Sequence, residues 1–223
     1  MNNLTLVIPA KNEKDSLPKV LDELKNYSLK ILIILEKEDE ETIQSVRNYN
    51  CEILYQNGKG YGDALIHGIN SVKTELFCIF NADGSFNPNE LPKMLEQMTF
   101  EKADFVFGTR YENDCGSDDD TIITLIGNFF FTKIGKLFFN LNITDILYTY
   151  ILGKTSKIRD LDLSSKDFRF CIELPIKAKR KNYKLVNSKA YERSRIGGKK
   201  KVNVFKDGFL ILIHMIKLFF IRR

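Results

Sequence analysis

Short apolar runs alternate with stretches in which apolar residues recur every three or four positions through the first half of the chain. The periodic stretches predict a helix that begins after Ser16, with Leu17, Val20, Leu21 and Leu24 on one face, and further helices at 39–49, 61–72 and 89–98. The apolar runs predict strands at 4–9, 30–35, 52–56, 75–80 and 103–107. Continuous apolar strands separated by helices are typical of parallel sheets that are covered on both faces. The pattern therefore predicts an α/β protein with a Rossmann-like, mostly parallel sheet.

The second half of the chain has a different pattern. Residues 112–120 form an acidic segment that we expect to be a mobile loop, and 121–140 are strongly apolar and helical. The aromatic stripe in that helix, Phe129 to Phe131 with Phe138 and Phe139, is expected to lie in the core. Residues 145–165 fit no clear class, 168–181 are predicted helical and 183–190 are predicted to form a strand. We expect one domain at 1–201 and a C-terminal element at 202–223.

The C-terminal part of the chain is strongly basic. Residues 177–223 contain fifteen Lys or Arg against two acids, a net +13, which leaves −8 for the preceding 176 residues. An apolar run from Gly208 to Ile221 would rise only about 21 Å as a helix, too short for the ~30 Å hydrocarbon core of a membrane. We interpret it as an amphipathic helix at a membrane interface, its headgroup contacts made by Lys206, Lys217, Arg222 and Arg223. The alternative is a helix that packs on the core or on a partner chain.

Composition limits the class further. A chain of 223 residues with 43% hydrophobic content can bury a substantial core and is not a disordered protein. The four cysteines are widely spaced, which argues against a zinc knuckle or a disulfide framework and favours a reducing compartment. The N-terminal residues do not have the pattern of a signal peptide.

Polar segments follow four of the predicted strands, at 10–13, 56–60, 81–84 and 108–110. Ligands bind beyond the carboxyl ends of strands in parallel sheets, so these segments are expected to form one site. Asp83 is the strongest candidate ligand for a divalent metal ion, because Mg²⁺ takes one or two protein carboxylates together with substrate phosphates and water. A turn aspartate before Gly84 is the alternative.

Several motifs occur along the chain: Pro9-Ala-Lys-Asn-Glu13, Asn57-Gly-Lys-Gly-Tyr-Gly-Asp-Ala-Leu65 with Gly68, Asn81-Ala-Asp-Gly-Ser-Phe-Asn-Pro88, Gly108-Thr-Arg-Tyr111, Phe170-x-x-Glu173 and Tyr191-x-x-x-Arg195-x-x-Gly198-x-Lys-Lys201. Their order resembles that in the family 2 glycosyltransferases, which are inverting enzymes of the GT-A fold. The likeness within that family is greatest to polyprenyl-phosphate sugar transferases such as dolichyl-phosphate mannosyltransferase.

The resemblance implies a binding site for a nucleotide-sugar donor and for Mg²⁺ or Mn²⁺. Asp83 and Asn81 would hold the metal ion, with Asn81 in place of the first Asp of the family's Asp-x-Asp signature. Glu13 can alternatively stabilise a helix N-terminus, and Glu36 can be a solvated member of an acidic run. The implied donor-binding residues are Pro9, Ala10, Glu13, Glu36, Lys59, Gly60, Asn81, Ala82 and Asp83.

The resemblance also implies which residues hold the acceptor. Arg110, Arg195 and Lys201 would contact the acceptor phosphate, and Asp83, Arg110 and Arg195 would be the catalytic residues. The Arg193–Lys201 segment can alternatively be a solvated basic surface. No Glu-Asp pair of the kind expected for a general base occurs between Asp120 and Arg169, although Asp145 is available. A lipid monophosphate, mostly dianionic at pH 7, would not need one.

We therefore expect an inverting glycosyltransferase that moves a sugar from UDP-sugar or GDP-sugar to a membrane polyprenyl phosphate. It would act as a peripheral enzyme at the cytoplasmic face of the membrane, in cell envelope glycan biosynthesis. The alternatives are a family 2 enzyme with another glycan or lipid-linked acceptor, and a catalytically impaired protein that still binds nucleotide-sugar. Nucleic acid is not an expected partner, because the lysines precede an apolar helix and do not alternate with stacking aromatic residues. Oligomeric state, donor base and donor sugar stay open.

Overall fold

The computed structural model describes residues 1–112, 115–198 and 200–221. Its centre is a seven-stranded sheet in the order β3-β2-β1-β4-β7-β5-β8, beside a two-stranded sheet of β6 and β9. The strands are β1 (Leu4–Pro9), β2 (Lys30–Leu35), β3 (Glu52–Tyr55), β4 (Leu76–Ile79), β5 (Phe105–Thr109), β6 (Gly116–Ser117), β7 (Ile151–Lys154), β8 (Leu185–Lys189) and β9 (Tyr191–Glu192).

Helices connect the strands and cover both faces of the large sheet. Two apolar clusters form the core, one on each face, and a third lies among the later helices. The helices are α1 (Leu17–Leu24), α2 (Glu40–Val46), α3 (Tyr61–Ser71), α4 (Glu90–Phe100), α5 (Ile122–Phe139), α6 (Thr155–Arg159), α7 (Phe170–Arg180) and α8 (Val204–Phe220). The predicted α/β class with a mostly parallel sheet is therefore confirmed.

The elements of the first half lie close to their predicted bounds, and the differences are at the ends. α2 ends at Val46, three residues earlier than predicted. Asp39, placed inside that helix by the prediction, is its N-cap and accepts a hydrogen bond from the Thr42 amide. Ser16 occupies the N-cap position of α1, but its hydroxyl donates to the Glu13 carboxylate (2.6 Å) and makes no capping bond.

One strand of the large sheet was not predicted. β7 lies in the unclassified 145–165 region and runs antiparallel between β4 and β5. It has only four residues, and Gly153 within it sits where a Cβ would lie 2.5 Å from Phe105 and 2.7 Å from Phe77. The glycine admits the two aromatic rings and weakens the strand pattern in the sequence.

The acidic segment at 112–120 was expected to be a mobile loop, and its described part is instead held by the fold. β6 pairs in parallel with β9, and the Asp118 amide donates to the Glu192 carbonyl (2.9 Å). Positions 113 and 114 lie outside the described residues. The pairing brings residues 117–120 beside the end of the chain's last strand.

The helices α5 and α8 pack against each other and against α7, and each also exposes an apolar face. The prediction that the α5 aromatic stripe lies in the core is wrong for three of its members, because Phe129, Phe130 and Phe138 are exposed while Phe131 is buried. α5 is long and apolar enough to cross a membrane by length and composition, with 17% of it buried.

α8 begins four residues earlier than the apolar run suggested and is about 26 Å long. Ile211, Met215 and Leu218 pack on the third core cluster, so the helix does dock on the core. Its opposite face exposes Phe205, Phe209, Ile213, Ile216 and Phe220. Arg222 and Arg223 lie outside the described residues. The boundary at 201/202 stays a prediction.

Candidate active site

The carboxyl ends of β1, β2, β3, β4 and β5 meet at one edge of the sheet because these strands are parallel. β7 is antiparallel, so the residues that precede it reach the same edge. A cavity of about 610 Å³ opens there, within the usual range for ligand sites. Its lining includes every predicted site residue except Lys59: Pro9, Ala10, Glu13, Glu36, Gly60, Asn81, Ala82, Asp83, Arg110, Arg195 and Lys201.

A second groove, about 810 Å³ and more open, lies at the amino edge of the sheet. It is lined by residues such as Lys73, Thr155 and Arg159 and contains none of the predicted site residues. Ligands of parallel α/β sheets bind at the carboxyl edge, so the smaller cavity is the candidate active site.

The turn after β4 presents Asp83 to the cavity. Asp83 is mostly buried, and its Oδ1 accepts a hydrogen bond from the Ser85 amide (3.0 Å). Gly84 follows with a positive φ of 81°, and a Cβ there would lie 2.4 Å from Ile196. The Asn81 side-chain nitrogen donates a hydrogen bond to the Ser85 hydroxyl (3.3 Å). The Asn81 side-chain carbonyl oxygen is then the second oxygen atom of this turn that can bind a metal ion. The turn thus fixes one carboxylate and one amide at the cavity wall.

Glu13 and Glu36 lie at another part of the wall, each paired with a lysine. The buried Glu13 carboxylate accepts from Lys201 Nζ (2.6 Å), and Glu36 accepts from Lys11 Nζ (2.7 Å). The Glu13 amide donates to the Thr42 hydroxyl (3.0 Å), which ties the loop after β1 to α2. Glu13 is therefore held at the cavity wall, and it also lies directly before α1, so its donor contact and its effect on the helix N-terminus both stay predictions.

The glycine-rich segment before α3 has a structural role that the sequence did not reveal. Gly60 has a φ of 106°, and a Cβ there would lie 2.3 Å from the Lys166 carbonyl oxygen. A Cβ at Gly62 would lie 2.2 Å from the Ser165 carbonyl oxygen. These glycines admit a neighbouring protein backbone. Lys59 is exposed and does not line the cavity, so its place among the donor-binding residues stays a prediction without support from the structure.

The basic segment after β9 folds over the cavity. Arg195 Nη1 lies 3.1 Å from Asp83 Oδ2, and Arg195 Nε lies 3.1 Å from Asp119 Oδ1. Lys200 Nζ also pairs with Asp119 (3.2 Å). The backbone follows the turn after β4, with the Ile196 amide donating to the Asp83 carbonyl (2.8 Å). The segment is therefore packed into the site and is not merely a solvated basic surface; position 199 lies outside the described residues.

Arg110 lies in a buried cluster of carboxylates. Its guanidinium donates to Asp145 through Nε (2.7 Å) and Nη2 (2.9 Å) and to Glu192 through Nη1 (2.8 Å). Asp120 lies 3.3 Å away. Burial alone would lower the pKa of Arg110, but Asp145 and Glu192 raise it above its usual value. Asp145 is 0% exposed and does not line the cavity, so it orients Arg110 and is not placed to act as a general base.

Several cavity residues were missed by sequence reasoning. Asp119 and Asp120 come from the acidic segment whose pairing with β9 was not predicted, and Glu192 lies on β9 itself. Burial raises the pKa of Glu192, against the effect of Arg110. Tyr148 and Thr149 reach the cavity only because β7 is antiparallel. The run of three aspartates before α5 was the one local signal for this side of the site.

The side-chain oxygens of Asp83 and Asn81 fit a hard divalent cation that is bound together with phosphate oxygens of a substrate. Among residues 1–112, 115–198 and 200–221, no group of three or more His, Cys, Asp or Glu could hold a metal ion. Asp83 and Asn81 supply one carboxylate and one amide oxygen, which suits Mg²⁺ or Mn²⁺ when a diphosphate provides further oxygens.

A mostly parallel sheet covered by helices, with a ligand-sized cavity at its carboxyl edge, is the architecture of the GT-A fold. Residues 5–162 match the model of glycosyl transferase family 2. The match covers more than half of the chain, and the chain therefore belongs to this family and is a glycosyltransferase.

Relatives of known sequence or structure match this chain over most of their own length. An uncharacterized glycosyltransferase of Mycobacterium tuberculosis is 23% identical over 210 residues, 94% of each chain. A UDP-N-acetylglucosamine–dolichyl-phosphate N-acetylglucosaminyltransferase of Methanococcus voltae is 24% identical over 199 residues, 78% of this chain and 79% of the relative. The crystal structure of glucosyl-3-phosphoglycerate synthase from Mycobacterium tuberculosis, with Mn²⁺, UDP and phosphoglyceric acid, superposes with a TM-score of 0.72 at 11% identity, covering 100% of this chain and 80% of the synthase.

Proposed function

We propose that this glycosyltransferase moves a sugar from a nucleotide-sugar to a polyprenyl phosphate at a membrane surface, with inversion and with Mg²⁺ or Mn²⁺. We place it peripherally on the cytoplasmic face, in the synthesis of cell envelope glycans. The observation that carries the proposal is the continuity between the cavity and the exposed apolar faces of α5 and α8.

That continuity follows from residues that belong to both features. Thr124 and Asn128 of α5 line the cavity, as does Val202 just before α8. The same two helices expose large apolar side chains, among them Ile126 and Phe209. Lys133 and Lys136 on α5 and Lys206 and Lys217 on α8 add positive charge. An interfacial helix with apolar and basic residues binds anionic lipid surfaces, so a lipid acceptor could enter the cavity from the membrane.

The residues at the cavity suit phosphate chemistry. Arg195, Lys200 and Lys201 lie at its wall. They pair there with Asp83, Asp119 and Glu13, and they would exchange these carboxylates for the phosphates of donor and acceptor. An oxygen of the dianionic lipid phosphate would attack the anomeric carbon of the sugar as the bond to the nucleoside diphosphate breaks. No proton has to be removed from this nucleophile at neutral pH. The chain therefore acts mainly by positioning the two substrates and balancing charge.

Asp83 and Asn81 would hold the divalent ion, which supplies charge stabilisation to the departing diphosphate. The relative from Methanococcus voltae, whose name includes a dolichyl-phosphate acceptor, supports the lipid phosphate. The Mn²⁺ and UDP of the similar synthase structure support the donor class and the metal.

The test is a panel of UDP-sugars and GDP-sugars assayed with Mg²⁺ or Mn²⁺ against a short-chain polyprenyl phosphate and the matching polyprenol. We expect transfer to the phosphate only. Asp83→Ala should lower kcat/KM at least about 100-fold, whereas Asp22→Ala, on the exposed side of α1 outside the cavity lining, should not. Equal transfer to the polyprenol would overturn the acceptor assignment, and full activity of Asp83→Ala would overturn the metal assignment.

A second candidate is transfer to a hydroxyl of another glycan or lipid-linked acceptor. The observation in its favour is Glu192, a cavity carboxylate whose pKa is raised by burial, which is the direction that makes a carboxylate a stronger base. If Glu192 is the general base, the enzyme should transfer sugar to an alcohol, and the rate of transfer should fall when Glu192 is protonated. Transfer to polyprenyl phosphate alone would exclude it.

A further inference from the structure

Tyr148 is a cavity residue to which neither the family match nor the proposed reaction assigns a role. It precedes β7 and lines the cavity near Asp83 and Glu192. Its ring is fixed by packing: the Arg110 guanidinium carbon lies 4.5 Å from the ring centroid, and the Phe86 ring centroid lies 4.9 Å away. The side chain is 3% exposed and therefore has little freedom to turn.

The Tyr148 hydroxyl is buried and has no hydrogen-bond partner among the described residues. The neighbouring tyrosines differ in this respect. Tyr150 donates to the Asn87 carbonyl (2.9 Å), and the Tyr61 hydroxyl pairs with Thr149 (2.7 Å). A buried polar group without a partner is costly and rare in folded proteins, so the Tyr148 hydroxyl requires an explanation beyond packing.

The charges around Tyr148 restrict the chemistry of a partner. Three carboxylates, Glu192, Asp145 and Glu90, and one cation, Arg110, act on it. Negative charge predominates there, and Arg110 is already bonded to Asp145 and Glu192. A phosphate would be repelled, whereas a neutral hydroxyl would not. Burial raises the pKa of Tyr148, so its hydroxyl stays protonated and can donate a hydrogen bond.

We propose that the Tyr148 hydroxyl hydrogen-bonds a hydroxyl of the sugar being transferred, which makes Tyr148 a specificity-determining residue for the donor. This inference rests on the proposed use of a nucleotide-sugar and does not depend on the acceptor. A site built to bond a substrate hydroxyl rejects analogues that lack it. The enzyme should therefore distinguish a donor from one of its deoxy analogues at a single sugar position.

The experiment compares Tyr148→Phe with Tyr150→Phe, a matched loss of a hydroxyl outside the cavity lining. Binding is measured by calorimetry for UDP, GDP, UDP-glucose, GDP-mannose and the singly deoxygenated sugars of each donor. Tyr148→Phe should bind the preferred nucleotide-sugar about ten-fold more weakly and the nucleoside diphosphate as the wild type does. The deoxy donor that lacks the hydroxyl bonded by Tyr148 should bind the wild type and Tyr148→Phe with equal affinity. Tyr150→Phe should keep all wild-type affinities.

Thermal unfolding gives a second measurement that does not depend on ligands. Tyr150→Phe loses a made hydrogen bond and should lower Tm by about 2–4 °C, whereas Tyr148→Phe should not lower it. A Tm loss in Tyr148→Phe, unchanged donor affinity, or equal weakening of nucleoside diphosphate binding would each overturn the inference alone. A wild-type protein that binds no nucleotide-sugar would overturn the proposed function and this inference together.

Discussion

Single residues of the site are held by partners from distant parts of the chain. Asp145 is an example, because it is fully buried and accepts three hydrogen bonds from Arg110, one of them from the backbone amide (3.2 Å), and one from Asn128 (2.7 Å). Asp145→Ala would leave the Arg110 charge buried with less compensation and should reduce the free energy of unfolding by about 3–5 kcal/mol, measured by urea denaturation.

The control for that substitution is the half-exposed pair of Arg193 and Glu23, 2.8 Å apart. Glu23→Ala should cost less than about 1 kcal/mol, because water screens this pair. If Asp145→Ala lowered the free energy of unfolding no more than Glu23→Ala does, the stability of the Arg110 cluster would not depend on Asp145.

Asn81 provides a test of the metal turn. Asn81→Asp restores a second carboxylate beside Asp83 and should raise the affinity of the nucleotide-free protein for Mn²⁺ by about ten-fold, because added ligand charge strengthens cation binding. Direct titration with Mn²⁺ measures this change. Asn50→Asp, at an exposed position outside the cavity, adds the same charge and should leave the affinity unchanged. An unchanged affinity in Asn81→Asp would show that the two side chains do not share an ion.

At the scale of elements, the packing of α8 on the core involves a titratable side chain, His214. His214 Nε2 lies 3.2 Å from the Ser165 hydroxyl. Burial lowers the pKa of His214, and Arg169 and Lys217 act in the same direction, whereas Glu173 and Asp167 oppose it. The folded protein therefore disfavours the protonated ring, and the stability that His214 contributes is present above pH about 6.5 and is lost as pH falls through its folded pKa.

The expected outcome is a Tm that falls between pH 7 and pH 5 more steeply in the wild type than in His214→Gln. Identical profiles for the wild type and His214→Gln would exclude His214 as the titrating group.

At the scale of the whole molecule, α5 and α8 pack against each other, expose large apolar side chains and adjoin residues that line the cavity. Ile126 is 62% exposed and Phe209 is 64% exposed. The double substitution Ile126→Glu with Phe209→Glu should abolish co-sedimentation with vesicles that contain anionic lipid, because it places charge in the apolar layer. Binding of the wild type should weaken as salt rises, since the lysines act through screened attraction.

Phe100 at the end of α4 serves as the control. It is 83% exposed and does not belong to the α5 and α8 surface. Phe100→Glu should leave vesicle binding unchanged. Wild-type protein that stays in solution with anionic vesicles would contradict the membrane proposal and leave the donor chemistry untouched.

The sequence by itself determined the strands β1 to β5 and β8, most helices and the loops that carry Glu13, Asp83 and Arg110. Burial of one face makes apolar residues recur every two positions in a strand and every 3.6 positions in a helix, so local patterns are sufficient to locate these elements. Parallel strands bring their carboxyl ends to one edge of the sheet, which is sufficient to place the loops that follow them in one site. Only the tertiary structure decided that β7 enters antiparallel and brings Tyr148 to the cavity. It also decided that Arg195 joins Asp83 to Asp119 across the site. Such contacts join residues far apart in the chain, and their geometry depends on packing that no local pattern contains.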